Sequence, residues 1–173
     1  RALEPDVLVH AANSAATLRV PESRFDFVRC GIAVYGMDPF HRDPADHGLE
    51  PALTLSTYVA EVKPCAPGQS AGYGRRFVAQ ERTWIGTLPI GYADGLSRAL
   101  SNRGHALVRG RRVPIVGSMS MDLTTIDVTD VPGIRVGDEV VFLGAQEGAL
   151  GKDTITANEI ADLIGTIPYE VLT

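Results

Sequence analysis

Along residues 53–62 apolar and polar side chains alternate, with Leu53, Leu55, Thr57 and Val59 set against smaller or polar neighbours, a period that predicts a half-buried strand. Further runs of strand character follow at Thr83–Leu88, His105–Val108, Val113–Val116, Leu123–Val128 and Glu139–Leu143. Gly and Pro separate them, as Pro64 and Pro67-Gly68 do after the first run, and short punctuated strands predict an antiparallel barrel or sandwich. One helix is well marked: Thr156-Ala157-Asn158-Glu159 forms a capping box, Ile160, Leu163 and Ile164 make an apolar face, and Gly165 ends it. Beyond it, Tyr169–Leu172 has strand character.

The first part of the chain has a different pattern. Val7–His10 and Ile32–Tyr35 are unbroken apolar runs rather than alternating ones, which predicts two buried strands, most economically a parallel pair joined by a crossover. Between them Asn13 or Ser14 can cap a short helix by accepting a bond from its free backbone N–H groups. Met37–Pro51 is rich in Pro, Asp, His and Gly without any period, and is expected to be a linker or domain boundary.

Composition narrows the function classes. The 173 residues are 45% hydrophobic, enough to bury a core of one large or two small domains. A formal net charge of -5 argues against a general nucleic-acid binder, which needs a basic face for phosphates. Cys30 and Cys65 are too few for a zinc site or a disulfide framework, no apolar run spans a membrane, and a reducing cytoplasm is the expected location. The chain begins with Arg1 and stops at Thr173 directly after a strand-like run, so it is expected to be part of something longer.

Ala71-Gly72-Tyr73-Gly74-Arg75-Arg76 sets a phenol between two glycines and follows it with two guanidiniums. Taken alone it reads as a hairpin corner, since glycine supplies backbone angles that other residues avoid. The chemistry emerges from an ordered set of such segments. These are His10-Ala11-Ala12-Asn13-Ser14-Ala15-Ala16, Arg29-Cys30-Gly31-Ile32-Ala33-Val34-Tyr35-Gly36, Gly72-Tyr73-Gly74, Gly91-Tyr92-Ala93-Asp94-Gly95 with Arg98, Ser120-Met121-Asp122, and Thr166-Ile167-Pro168-Tyr169-Glu170. In this order, over nearly the whole chain, they resemble the later part of the alanine racemase family, pyridoxal-phosphate enzymes that interconvert the enantiomers of alanine.

The resemblance implies a fold and a set of roles. Residues 1–48 would be the last strands of an α/β barrel of the TIM type, and 49–173 a mainly antiparallel β-rich domain that completes the active site of a homodimer. Ser14, Gly31 and Ile32 would bind the cofactor phosphate, near the last two barrel strands where such sites form, and Tyr169 would complete that site. Arg29 would face the ring nitrogen. As a permanent cation with donors only, it leaves that nitrogen unprotonated and weakens the electron sink, which favours proton return over transamination. Tyr73 would be one of two catalytic acid/base groups, acting in the partner's active site opposite the lysine that holds the cofactor. A phenol has a pKa near ~10 and needs neighbouring charge or hydrogen bonds to act as a base. Tyr92 would stand at the substrate entrance and the Met121 N–H would meet the substrate carboxylate. By the same resemblance no metal is involved, the substrate is alanine, and the enzyme supplies D-alanine for cell-wall peptidoglycan.

Without the resemblance these residues have plainer readings: Ser14 as a helix cap, Gly31 as a strand-entry glycine, Arg29 as a surface arginine, Tyr92 as a strand-end tyrosine and Met121 as core filler. His10 reads as a scaffold residue, and Arg98 and Asp122 as structural or entrance residues. The chain also departs from the family pattern. Cys30 stands where proline is usual and Gly72 where serine is common, while neither lysine, Lys63 nor Lys152, has the context of the cofactor lysine. This stretch alone is therefore expected to be inactive. Two alternatives stay open at this stage: another amino-acid racemase of the family, acting on serine, lysine or a broad range, and a β-barrel interaction module without chemistry.

Overall fold

The computed structural model describes residues 6–173, which divide into two compact units at the Leu53/Thr54 boundary. In the first, helix α1 (Ser14–Arg19) starts as its cap predicts: the Asn13 side chain accepts from the Ala16 N–H at 3.0 Å. Asn13 also forms a parallel bridge with Arg29, and the Arg29 N–H donates to the Ala12 carbonyl at 2.8 Å. This isolated bridge lies outside both of the runs expected to pair in parallel, Val7–His10 and Ile32–Tyr35.

The strands expected there are not observed. Val7–His10 carries no ladder, and Leu8 is 69% exposed. Ile32–Tyr35 is a 3-10 turn that ends on Gly36 at φ +73, with Val34 67% exposed. A parallel strand is buried by ladders on both edges and helices on both faces. An apolar run records that burial is wanted and says nothing about which neighbours provide it. The paired backbone is instead the polar stretch near Arg29, where periodicity is silent.

Met37–Pro51 is more ordered than a linker. Met37 and Asp38 are buried, and the Asp38 carboxylate accepts from the Phe40 N–H at 2.7 Å and meets the His47 ring at 2.9 Å. Burial pushes the Asp38 carboxyl up, but the Phe40 N–H and the His47 ring outweigh it, and it titrates below its ordinary value.

The second unit holds ten strands: β1 (Leu55–Tyr58), β2 (Glu61–Cys65), β3 (Ser70–Ala71), β4 (Phe77–Val78), β5 (Thr83–Leu88), β6 (His105–Val108), β7 (Arg111–Pro114), β8 (Thr124–Asp127), β9 (Glu139–Gly148) and β10 (Gly151–Ile155). All of their pairings are antiparallel. One sheet has the order β1-β9-β6-β7, with β10 on the far half of β9; a second is β2-β5-β8; β3 and β4 form a hairpin of their own. β1 and β2 follow each other around Val59, which bonds to the turn before β9, while Ala60 bonds to Thr87 of β5, so one run of chain serves both large sheets. The sheets do not close into a single barrel among the described residues.

The core between them is Phe142, Leu107, Val140 and Ile115 with Ile126, Leu88 and Val59, all essentially inaccessible. Helix α2 (Ala157–Ile164) has the predicted Thr156 cap and stops on Gly165 at φ +78. Arg112 of β7 reaches Asp153 of β10 at 2.6 Å and both oxygens of Glu159 in α2, tying the helix to the sheet. The segment expected to be a final strand is helix α3 (Pro168–Leu172). Proline at its first position supplies the fixed φ of a helix start, a local signal that outweighs the β character of Tyr169 and Val171.

Candidate active site

The Gly-Tyr-Gly segment is the tip of the β3–β4 hairpin, so the corner predicted from its glycines is present. Gly72 and Gly74 both take positive φ, and the backbone turns tightly enough to project Tyr73 with 75% of its surface exposed. The hairpin is seated from below. Ala71 and Phe77 pack on the buried cluster of Cys65, Ala79, Ile85 and Val116. It is seated from the side by the segment Gly117–Met121. A Cβ on Gly72 would stand 3.0 Å from the Ser118 N and O atoms, and one on Gly117 would stand 2.5 Å from the Ala71 carbonyl oxygen.

The same segment holds the Tyr92 loop. The Tyr92 N–H donates to the Ser120 carbonyl at 3.1 Å and the Ala93 N–H to the Met121 carbonyl at 2.9 Å. Asp94 closes the loop on itself by accepting from the Gly91 N–H at 2.8 Å. Gly91 is required here: a Cβ would lie 2.5 Å from the Met121 carbonyl oxygen. Three of the predicted residues are thereby carried on neighbouring supports, and all three side chains are free of the core, Tyr92 at 44% and Met121 at 57% exposure. Of the remaining motif residues in this unit, Asp122 accepts from the Ser120 hydroxyl at 3.2 Å and Arg98 is an exposed residue at the start of a 3-10 turn. Arg75 is turned back, donating to the Gly68 carbonyl at 3.3 Å. Tyr169 is half exposed on α3. Lys63 and Lys152 lie in exposed ion pairs with Glu61 and Glu147.

The first unit gathers the other predicted group. Ser14 is buried at the first position of α1, and its hydroxyl oxygen accepts from the Gly31 N–H at 3.1 Å and the Ala33 N–H at 3.3 Å. Ile32 lies between these two amides. Beside Gly31 the space is open, since a Cβ there would meet nothing within 4 Å. Arg29 is exposed, held through its bridge to Asn13, with one guanidinium nitrogen 3.4 Å from the Ala11 carbonyl. The His10 ring packs tilted against Phe27, with centroids 4.3 Å apart. Among the described residues no group of three His, Cys, Asp or Glu side chains could hold a metal. No described helix is long and apolar enough to cross a membrane.

Two residues that support the site carry no sequence signal. Asn102 and Ser101 bond to the backbone of the Gly117–Met121 segment from a turn 15 or more residues away. Nothing local in Leu100-Ser101-Asn102-Arg103 marks that contact.

The larger unit thus presents two exposed tyrosines beside a methionine loop, and the smaller one a serine hydroxyl bonded to two amides; comparison with known proteins gives the class. Residues 52–173 match the model of the alanine racemase C-terminal domain and residues 1–39 that of the alanine racemase N-terminal domain. The chain belongs to the alanine racemase family. It is 54% identical over 164 residues to the alanine racemase of Sorangium cellulosum, covering 95% of this chain and 43% of that protein. To the enzyme of Desulfosudis oleivorans it is 48% identical over 170 residues, 98% of this chain and 43% of the relative. Among solved structures, the alanine racemase of Bacillus anthracis with bound L-Ala-P superposes with a TM-score of 0.84 at 40% identity over 95% of this chain and 42% of that one. The Bartonella henselae enzyme with covalently bound pyridoxal phosphate superposes with a TM-score of 0.80 at 33% identity, over 97% of this chain and 44% of that one. The chain thus spans less than half the length of these relatives.

Proposed function

We propose that this chain is the C-terminal part of an alanine racemase, which interconverts L- and D-alanine with pyridoxal phosphate in a homodimer whose active site is shared between subunits. The carrying observation is the convergence of Tyr73, Tyr92 and Met121 on one backbone support, with all three side chains unburied. A phenol projected from a braced hairpin tip is built to act on something outside its own fold. In this reading the acting site is the partner subunit's.

The first unit is read as the end of an α/β barrel. Its exposed Val7, Leu8, Phe25 and Phe27 form apolar surface that suits burial against preceding strands and helices. The phosphate of pyridoxal phosphate fits the Ser14 cluster, because a phosphate oxygen is a stronger acceptor for the Gly31 and Ala33 amides than the hydroxyl they now meet. The open space at Gly31 leaves room for that approach. Arg29, exposed and held by its bridge to Asn13, would meet the ring nitrogen.

Pyridoxal phosphate, when bound, acidifies the Cα–H of an amino acid joined to it. The residues here then decide where the proton goes. Arg29 keeps a proton off the ring nitrogen, which limits electron withdrawal. Tyr73 takes or returns the Cα proton on one face, while the lysine that holds the cofactor serves the other. The Met121 N–H orients the substrate carboxylate, and Tyr92 narrows the entrance. Supply of D-alanine for cell-wall synthesis suits an enzyme of the cytoplasm.

The test is a comparison of the complete enzyme with residues 1–173 alone, each given pyridoxal phosphate and L-alanine and followed by optical rotation. The complete enzyme is expected to racemise alanine and the isolated stretch to do no better than free cofactor. Preference for serine or lysine over alanine in a substrate panel would move the assignment to another racemase of the family.

A further inference from the structure

The Tyr73 hairpin is braced from one side by a single amide side chain. Asn102 stands at φ +56, a left-handed conformation that asparagine tolerates better than most residues. From there its Oδ1 accepts from the Gly117 N–H at 2.5 Å and its Nδ2 donates to the Arg76 carbonyl at 3.1 Å. The two partners dictate the orientation of the amide, because an N–H needs an acceptor and a carbonyl needs a donor. They also lie on opposite flanks of the tip. Gly117 touches Ala71 and Gly72, on the strand leading into Tyr73, and Arg76 is the last residue before β4 on the way out. Next to it, Ser101 accepts from the Met119 N–H at 3.0 Å, fixing the same support one turn further toward Met121.

We propose that Asn102 is a positioning residue for Tyr73, holding both flanks of the hairpin so that the phenol keeps its place relative to the Met121 and Tyr92 loops. The proposal rests on the reading of Tyr73 as a proton-transfer group. Asn102 is exposed, but the Gly117 N–H it accepts from is buried, so a variant that removes this acceptor lowers stability while one that keeps it leaves stability little changed. What changes is where the hairpin tip sits. A displacement of about 1 Å at a reacting group costs on the order of 100-fold in rate.

Asn102→Asp is the discriminating variant. Aspartate tolerates the left-handed backbone and keeps the acceptor for Gly117, yet it turns an oxygen toward the Arg76 carbonyl in place of the donor. Asn102→Gly keeps the backbone freedom and removes both bonds. In the complete enzyme Asn102→Asp is expected to melt near wild type and Asn102→Gly somewhat lower, and both to raise backbone amide hydrogen exchange over residues 71–78 but not in β5 or β9 and to lose roughly 10- to 100-fold in kcat. In combination with Tyr73→Phe the loss is expected to vanish, with the double variant no slower than Tyr73→Phe alone. Unchanged exchange over 71–78, or losses that simply multiply in the double variant, would overturn the proposal. Wild-type turnover in Tyr73→Phe alone would remove the reading it rests on, and the proposal with it, while the exchange data would still report whether Asn102 clamps the hairpin.

Discussion

Gly117 and Ala71 lie in backbone contact, so close that a Cβ on Gly117 would stand 2.5 Å from the Ala71 carbonyl oxygen. Gly117 also holds φ +76. The approach of these two residues sets the hairpin that carries Tyr73 against the loop that carries Met121. Gly117→Ala is therefore expected to impair both stability and catalysis. The left-handed backbone alone costs about 1–2 kcal/mol for a residue with a Cβ, and the carbonyl must also retreat. Gly137→Ala is the matched control, at φ +92 with nothing within 4 Å of its added Cβ. Melting curves should show Gly117→Ala as the more damaging of the two, with kcat reduced only there; equal damage would mean that the contact has no role of its own.

Tyr73→Phe is expected to act on one face of the substrate. The two enantiomers of alanine are equally stable, so kcat/KM must remain equal in both directions whatever the variant does. The asymmetry is instead expected in hydrogen exchange between Cα and solvent. In D2O one enantiomer should still exchange its Cα hydrogen faster than it racemises, and the other should lose both processes together. Exchange falling equally for both enantiomers would count against Tyr73 as the base for a single face.

Ser14→Ala removes a hydroxyl that serves two amides, those of Gly31 and Ala33. The variant loses the hydroxyl's bond to the phosphate, and a hydrogen bond to a charged group is worth about 1.5–3 kcal/mol. In the complete enzyme, fluorescence titration with pyridoxal phosphate should show weaker binding by about 10- to 100-fold, the equivalent of that energy. Ser14→Thr, which keeps the hydroxyl, should bind nearly as well as wild type. Unaltered affinity in the alanine variant would separate Ser14 from the phosphate.

Arg112 joins β7, β10 and α2 through Asp153 and Glu159, and Glu159 is also the third helical residue after the Thr156 cap. Arg112→Met should lower stability by about 1–3 kcal/mol, because charge-assisted bonds are lost and two carboxylates are left facing each other. Arg112→Lys should recover only part of this, since an ammonium lacks the planar fork that reaches both carboxylates. Denaturant unfolding measures both; a lysine variant as stable as wild type would show that charge alone suffices.

The same network makes a signed prediction for pH. The Arg112 hydrogen bonds, followed by the Thr154 N–H, hold the Asp153 carboxyl below its ordinary value of 3.8. A carboxyl lowered on folding stabilises fully above its unfolded value, and that stability is lost as pH falls through the folded one. The stability gap between wild type and Arg112→Met should therefore be constant above about pH 5 and shrink below about pH 4. A gap unchanged down to about pH 2 would exclude Asp153 as its source.

Much of the second unit was legible residue by residue. β5 and β6 coincide with the runs Thr83–Leu88 and His105–Val108, the helix after Thr156 has its predicted cap and stop, and the Gly-Tyr-Gly corner is a hairpin tip. Caps, turns and alternation are exchanges between near neighbours, and near neighbours are written side by side. Two differences between sequence and structure come from neighbours that are distant in sequence. Val7–His10 and Ile32–Tyr35 announce burial without naming what buries them, and the apparent linker around Asp38 is organised by His47, nine residues on. Tyr169–Leu172 was misread because β character was weighed above the proline that starts the helix.

The sequence by itself determined which groups this protein has available: a phenol between glycines, a serine at a helix start, an arginine before a glycine, and the ordered motifs that identify the alanine racemase family. It also determined the antiparallel character of the larger unit, since period and punctuation are local properties. Only the tertiary structure decided that Tyr73, Tyr92 and Met121 share one support, that Gly91 and Gly117 are glycines because another backbone passes there, and that Asn102 reaches both flanks of the hairpin. Those relations join residues 15 to about 50 positions apart through contacts shorter than a side chain is long. A linear pattern does not encode such approaches, because they exist only once the strands between them have paired and set the loops in place.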